Sequence, residues 1–312
     1  MLTPWVPPAR LVAASSQQLP GIWHIALSGS VSGRDPNAAL KRLAKGSSHL
    51  GTQASAQGSL RPLNISIGRV PLSLLIPGRH LREKALSRYR EFTADNDGGL
   101  PVVLRSDARS DPRPARKDLN FSYVLDDASM LLDSFGAEFH GVRHEYALDS
   151  LLRILLTMVL LPQRGFLLHA ATVVRDGRAY VFTGRSGAGK STVASLSPAG
   201  TVLTDEISLL KFTDGCWQAY GTPFWGEFRA AGQNEHYPIA GIYTLVQSAE
   251  DRVESLTTKE MIRALLPCVL FFTSKVEANE DLLRLLLGFV GQVPCERLHF
   301  RRDDGFWKVI AA

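Results

Sequence analysis

Hydrophobic and polar positions divide the chain at about residue 62. Residues 1–62 show no sustained apolar period and are rich in Ser, Gly, Ala, Pro and Gln, as in SGSVSG from Ser28 to Gly33. They read as a poorly ordered segment with at most one short helix near Ala38 to Ala44. From Leu63 the pattern becomes that of a packed protein. Leu63 to Ile67 and Leu72 to Leu75 form a hairpin around Gly68 and Arg69. Arg79 to Phe92 carries apolar residues at near-helical spacing. Pro101 to Leu104, Ser122 to Leu125, Ser129 to Leu132 and Glu138 to His140 read as strands. Ser106 to Lys117 is a polar, proline-bearing loop, and Tyr146 to Leu161 is a long apolar helix.

Beyond Pro162 the period changes to short strands. Phe166 to Val174 and Tyr180 to Thr183 pair across Asp176 and Gly177. A glycine-rich loop leads into a helix from Lys190 to Leu196, stopped by Pro198 and Gly200. Thr201 to Leu203, Ile207 to Phe212, Cys216 to Tyr220 and Ile239 to Val246 are strands. Thr258 to Leu266 and Asn279 to Phe289 are helices. Cys295 to Phe300 and Trp307 to Ile310 are expected as a closing hairpin across Asp303, Asp304 and Gly305. Three regions result: 1–62, a small α+β accessory region over 63–164, and an α/β core over 165–312.

Composition adds limits rather than elements. A chain of 312 residues with 45% hydrophobic content can bury a sizeable core. Three cysteines without a CxxC pair argue against a disulfide scaffold. No uncharged apolar run reaches the roughly 18 residues of a membrane helix, and no signal-peptide core opens the chain, so a cytoplasmic protein without a membrane partner is expected. The net charge of +5 is unevenly placed: residues 1–120 carry +9 and the remainder −4. That basic front could steer an acidic partner, or it is only a solvated surface. It lacks the interleaved aromatics of a nucleic-acid platform, and the later half is acidic, so no nucleic-acid partner is expected. Leu265 to Phe272 is apolar enough to serve a homo-oligomer or the core, and both readings stay open.

The chemistry concentrates in one loop. Residues 184–191 read GRSGAGKS, a full match to G-x-x-x-x-G-K-[ST] placed between strand and helix. Gly184, Gly187 and Gly189 let the backbone turn its N–H groups inward around phosphate, with Arg185, Ser186 and Ala188 between them. The N-terminus of the following helix adds partial positive charge. Lys190 can reach the β and γ phosphates, Ser191 can place its hydroxyl on Mg²⁺, and Thr192 follows at the loop's exit. ATP and Mg²⁺ are therefore the expected cofactors. Asp205 and Glu206 follow an apolar strand only 15 residues after Lys190. One carboxylate can hold the metal and the other can take a proton from an attacking hydroxyl. A charged turn is the plainer alternative. His169 stands among apolar residues and fits either a core histidine or an active-site group.

Together, LLHAATVV at 167–174, FTGRSGAGKST at 182–192, LTDEISL at 203–209 and YGTPFWGE at 220–227 resemble the HPr kinase/phosphorylase family, more closely its stand-alone relatives. The resemblance implies a P-loop kinase core of the HPr kinase and phosphoenolpyruvate carboxykinase type with an N-terminal α+β extension. It implies transfer of the γ-phosphate of ATP to a serine of a peptide or protein substrate. By motif match His169 and Asp205 stand at the family's catalytic positions beside Lys190, and Glu206 replaces an acidic partner that is commonly Asp. Thr192 stands where the bifunctional enzymes carry Glu, and Glu227 and Arg229 are either stand-ins for a loop those enzymes carry before the next strand or plain surface charges. Two other readings remain: phosphorylation of a small molecule such as an amino acid or sugar, and a nucleotide-binding switch or ATPase with little transfer.

Overall fold

The structure, a computed structural model, describes residues 61–95, 98–105, 119–125, 128–133, 136–198, 202–224, 226, 232–273 and 275–310. The expected poorly ordered segment, its short helix and the loop of residues 106–117 lie outside them. In chain order the described elements begin with β1 (Leu63–Ile67), β2 (Val70–Leu75), α1 (Arg79–Arg88), β3 (Leu100–Arg105), β4 (Leu119–Leu125), β5 (Ala128–Asp133), β6 (Ala137–His140) and α2 (Glu145–Leu160). They continue with β7 (Gly165–Arg175), β8 (Arg178–Thr183), α3 (Lys190–Ser195), β9 (Val202–Thr204), β10 (Ile207–Thr213), β11 (Cys216–Tyr220), β12 (His236–Gln247) and β13 (Arg252–Ser255). The last are α4 (Thr258–Leu265), β14 (Val269–Leu270), α5 (Val276–Val290), β15 (Cys295–Phe300) and α6 (Phe306–Ile310). None of the helices among the described residues is long and apolar enough to cross a membrane.

The chain divides into two compact units. The first holds residues up to 66 and 71–155, and the second holds 67–70 and 156–312. The first contains a six-stranded sheet in the order β1-β2-β3-β6-β5-β4, parallel in its β2-β3-β6 middle and antiparallel where β5 meets its neighbours. Strand alternation sends Leu72, Leu74, Val102, Leu104 and Phe139 to one buried face. Between α1 and α2, Arg88 and Tyr89 both donate to the buried carboxylate of Asp149. Burial holds the Asp149 carboxyl above its usual range even with Arg88 beside it, and holds the Tyr89 hydroxyl well above its own.

The second unit is a helix–sheet–helix sandwich around the order β11-β10-β7-β8-β12-β15-β13. Even-numbered positions of β7, with Val181 and Ile242, face Met261 and Leu265 of α4 and Leu282, Leu286 and Phe289 of α5. The opposite parity, with Val173, Phe182, Tyr243 and Phe300, faces Val193 of α3 and Phe306 and Trp307 of α6. The two apolar faces explain why these strands read as continuous hydrophobic runs. Left-handed backbone at Asp176 and Gly177, and again at Asp214 and Gly215, makes the two tight hairpin turns.

The C-terminal reading needs correction. Residues 306–310 form helix α6 rather than a strand. Asp303 Oδ1 accepts from the Gly305 amide at 2.9 Å, which starts a helical turn where a hairpin was expected. Strand β15 finds its partners elsewhere, parallel to β12 and antiparallel to β13. Strand β13 is short and of mixed polarity and β14 has only two residues, so neither carries a period by which sequence could find it.

Candidate functional site

The glycine-rich loop leaves β8 at Thr183 and enters α3 at Lys190. Strand β8 lies between β7, which is antiparallel, and β12, which is parallel. Gly184, Gly187 and Gly189 all have positive φ, at 150°, 80° and 109°. Gly189 is fixed twice over. Its backbone is left-handed, and a Cβ there would lie 2.5 Å from the Phe300 ring. From below, Gln247 at the end of β12 donates to the Gly187 carbonyl at 2.9 Å.

Lys190 is buried, and its ammonium turns back over the loop to donate to the carbonyls of Gly184, 3.0 Å, and Arg185, 3.3 Å. That posture holds the cation at the loop's mouth. Arg185, Ser186 and Gly187 are exposed, whereas Gly184, Ala188, Gly189, Ser191 and Thr192 are half-buried. The helix behind the loop has only six residues, so its dipole adds little and the loop amides and Lys190 set the local field.

Register brings the other candidates to the same place. Ala170 pairs with Thr183, and His169 pairs with Ile207. His169 is therefore level with the loop's entry, and Thr183 Oγ1 donates to its carbonyl at 3.0 Å. As an odd-numbered residue of β7, His169 shares the sheet face that carries α3.

Asp205 and Glu206 are not at a free strand end. They form the step by which the chain passes from β9 to β10, both of which pair with β7. The Ala170 amide donates to the Glu206 carbonyl, 3.0 Å, and Thr204 Oγ1 to the Ile207 carbonyl, 3.0 Å, which fixes both ends of the step. Asp205 is 7% exposed and its Oδ1 accepts from the Gly226 amide at 3.1 Å. A Cβ at Gly226 would lie 2.6 Å from Asp205 Oδ2, so only glycine fits against the carboxylate. Thr222 Oγ1 donates to the Ile207 carbonyl at 2.6 Å and so is held to the step.

Loop, His169 and the carboxylate step thus occupy one edge of three neighbouring strands. Gly226, Thr222, Gln247 and Phe300 also shape the site without having been singled out in the sequence. Gly226 lay in a stretch whose glycine could have been tested for close approach. Phe300 gives no local signal, because its contact is made across more than a hundred residues. Glu227 and Arg229 fall outside the described residues.

Mg²⁺ can be tested against these groups. Among the described residues no cluster of three or more His, Cys, Asp or Glu side chains is gathered as for a protein-held metal. Mg²⁺ ordinarily keeps its waters and takes few protein ligands besides phosphate oxygens. Ser191 at the start of α3 and a carboxylate of the step fit that sparse donor set.

A family model matches residues 146–311, just over half of the chain: SynChlorMet cassette protein ScmC. The chain belongs to the ScmC family. This overturns the expected membership of the HPr kinase/phosphorylase family and removes the kinase label that rested on it. The reason lies in the length of the shared stretches. A glycine-lysine loop and a strand followed by two carboxylates are what any phosphate-binding edge needs, so they mark chemistry and not descent. The ScmC match begins at Tyr146, within α2, and runs through the whole loop-bearing sheet. No curated protein matches the chain.

Proposed function

We propose that this ScmC-family chain binds a magnesium nucleoside triphosphate, ATP, in the 184–192 loop and transfers its γ-phosphoryl group to an acceptor hydroxyl. The observation that carries the reading is the Lys190 ammonium held on the Gly184 and Arg185 carbonyls at the mouth of a glycine loop. A triphosphate at the loop would offer that ammonium charged oxygen acceptors. The loop amides and Lys190 would hold the transferred charge. Ser191 would ligate the metal together with Asp205 or Glu206. The step carboxylate that does not hold the metal would take the acceptor proton, with His169 beside it. A bound Mg²⁺ would supply charge neutralisation across the phosphates.

The acceptor we propose is a serine of a peptide or protein, with an amino acid or sugar as the second choice, and the compartment is the cytoplasm. One feature favours a different reading. The Gly226 amide on Asp205 ties the 221–226 segment to the carboxylate. A nucleotide-bound metal that drew Asp205 away would release that segment, as in a switch with little transfer.

Purified protein incubated with γ-labelled ATP, Mg²⁺ and candidate peptides tests both readings. Lys190→Ala is expected to lower ATP affinity at least about tenfold, since a charged hydrogen-bonding contact is lost. Unchanged affinity in that variant sinks the site assignment. Asp205→Asn is expected to keep ATP binding and lose transfer to peptide. ATP binding and slow hydrolysis with no labelled acceptor would instead support the switch.

A further inference from the structure

The six-stranded sheet of the first unit has one apolar face and one that is not. On the second face, register sets three polar side chains in a single cross-strand row. Arg105 on β3 pairs with His140 on β6, and His140 pairs with Ser129 on β5. Glu138 lies two residues back along β6, so it shares their face. Its Oε2 is 3.3 Å from His140 Nε2 and its Oε1 is 3.6 Å from Arg105 Nη2. The Glu138 and His140 side chains are only 6% and 3% exposed. Ser129 is 4% exposed. Arg105, at 20%, reaches furthest toward solvent.

Two buried atoms in this row lack partners: Ser129 Oγ and His140 Nδ1. Native proteins rarely leave such atoms unsatisfied, and a hydroxyl and a ring nitrogen side by side call for a ligand. A carboxylate can only accept, so Glu138 fixes the proton on His140 Nε2. With a second proton, His140 becomes a donor at Nδ1 and Glu138 compensates the charge. Guanidinium, imidazolium and hydroxyl then stand in line at the roughly 5 Å spacing of neighbouring strands.

We infer that the Arg105–His140–Ser129 row, backed by Glu138, binds a small oxyanion of the phosphate or carboxylate class. The site lies wholly within the first unit and does not rest on the proposed nucleotide chemistry. The other charged group on this face among the described residues is Asp133 on β5, whose Oδ1 already accepts from the Gly136 amide at 3.1 Å. Besides Arg105, β2 and β3 send Ser73, Leu75, Pro101 and Val103 to this face, and β5 adds Leu131.

The test follows the His140 ring by NMR in the full-length chain, with the resonance assigned by loss in His140→Gln. Inorganic phosphate is titrated in one arm and acetate in the other. Both use a Lys190→Ala background, so that the glycine loop does not take up the anion. The expected result is a saturable shift of the His140 resonance on adding anion. Arg105→Gln is expected to weaken it. Response to phosphate identifies a phosphate ligand, and response to acetate alone a carboxylate. A resonance indifferent to both anions overturns the inference. In that case Ser129→Ala would move the His140 resonance without any anion, because the Ser129 hydroxyl simply turns onto Nδ1.

Discussion

The two sheets solve burial in opposite ways. The nine-stranded sheet is largely apolar on both faces, although it buries Lys211 of β10, which donates to Gln163 Oε1 at 2.8 Å. Its interior is set by rings, such as Trp217 against Phe289 at 4.8 Å and Phe182 stacked on Tyr243 at 5.7 Å. The six-stranded unit places charge inside: Arg88 and Tyr89 on Asp149, and His140 and Arg105 on Glu138. Apolar packing degrades by degrees when a side chain is trimmed. A buried charge pair fails abruptly when one partner is removed, because the other is left uncompensated. The first unit should therefore be the brittle one.

The largest effect is expected from Asp149→Ala, about 3–5 kcal/mol of lost stability as the Arg88 charge is stranded. Denaturant unfolding measures it. A loss below about 1 kcal/mol would erase the contrast between the units. Next comes Gly189→Ala, which forces left-handed backbone on alanine and drives a methyl into the Phe300 ring. We expect about 1–3 kcal/mol and impaired ATP binding. Phe300→Leu in the same chain should recover part of both, as a double-mutant cycle would report. Smaller still is Thr257→Ala, at about 1 kcal/mol. It removes the side chain that accepts from the Glu260 amide in the capping box of α4.

The last prediction changes reactivity rather than stability. Burial pushes the Cys295 thiol up to about 12, with Glu296 adding to it, while Cys216 is exposed. A thiol reagent at pH 8 should modify Cys216 readily and leave Cys295 intact until the chain unfolds. Equal labelling rates would mean that the second sheet is less tightly closed than its packing implies.

Most strands were legible because two-sided burial writes unbroken apolar runs, and because Asp-Gly pairs name their own turns. The loop was legible because its glycines and lysine fall at fixed spacing in consecutive residues. What could not be read was set by pairing. Sequence placed His169 and Asp205 in the same inventory, but only the register of β7 with β8, β9 and β10 puts them on one edge. Residues 306–310 misled because Phe306, Trp307, Val309 and Ile310 suit a strand as well as a short helix, and the Asp303 turn decided it. The family was misjudged for a related reason: the four short stretches are what the site's chemistry demands, and they outweighed the rest of the chain.

The ring of Phe300 beneath Gly189 has a consequence in time. Histidine, loop, carboxylate step and Gly226 all emerge from the ribosome within one short span. The residue that seats the loop, Phe300, follows Gly189 by more than a hundred positions. At about 5–20 residues per second that is a wait of roughly 5–20 s. During it the nascent protein carries the glycine loop with its floor missing. If the loop binds nucleotide as proposed, an early ligand would find amides without the scaffold that aims them, and completion of β15 would set when binding can begin.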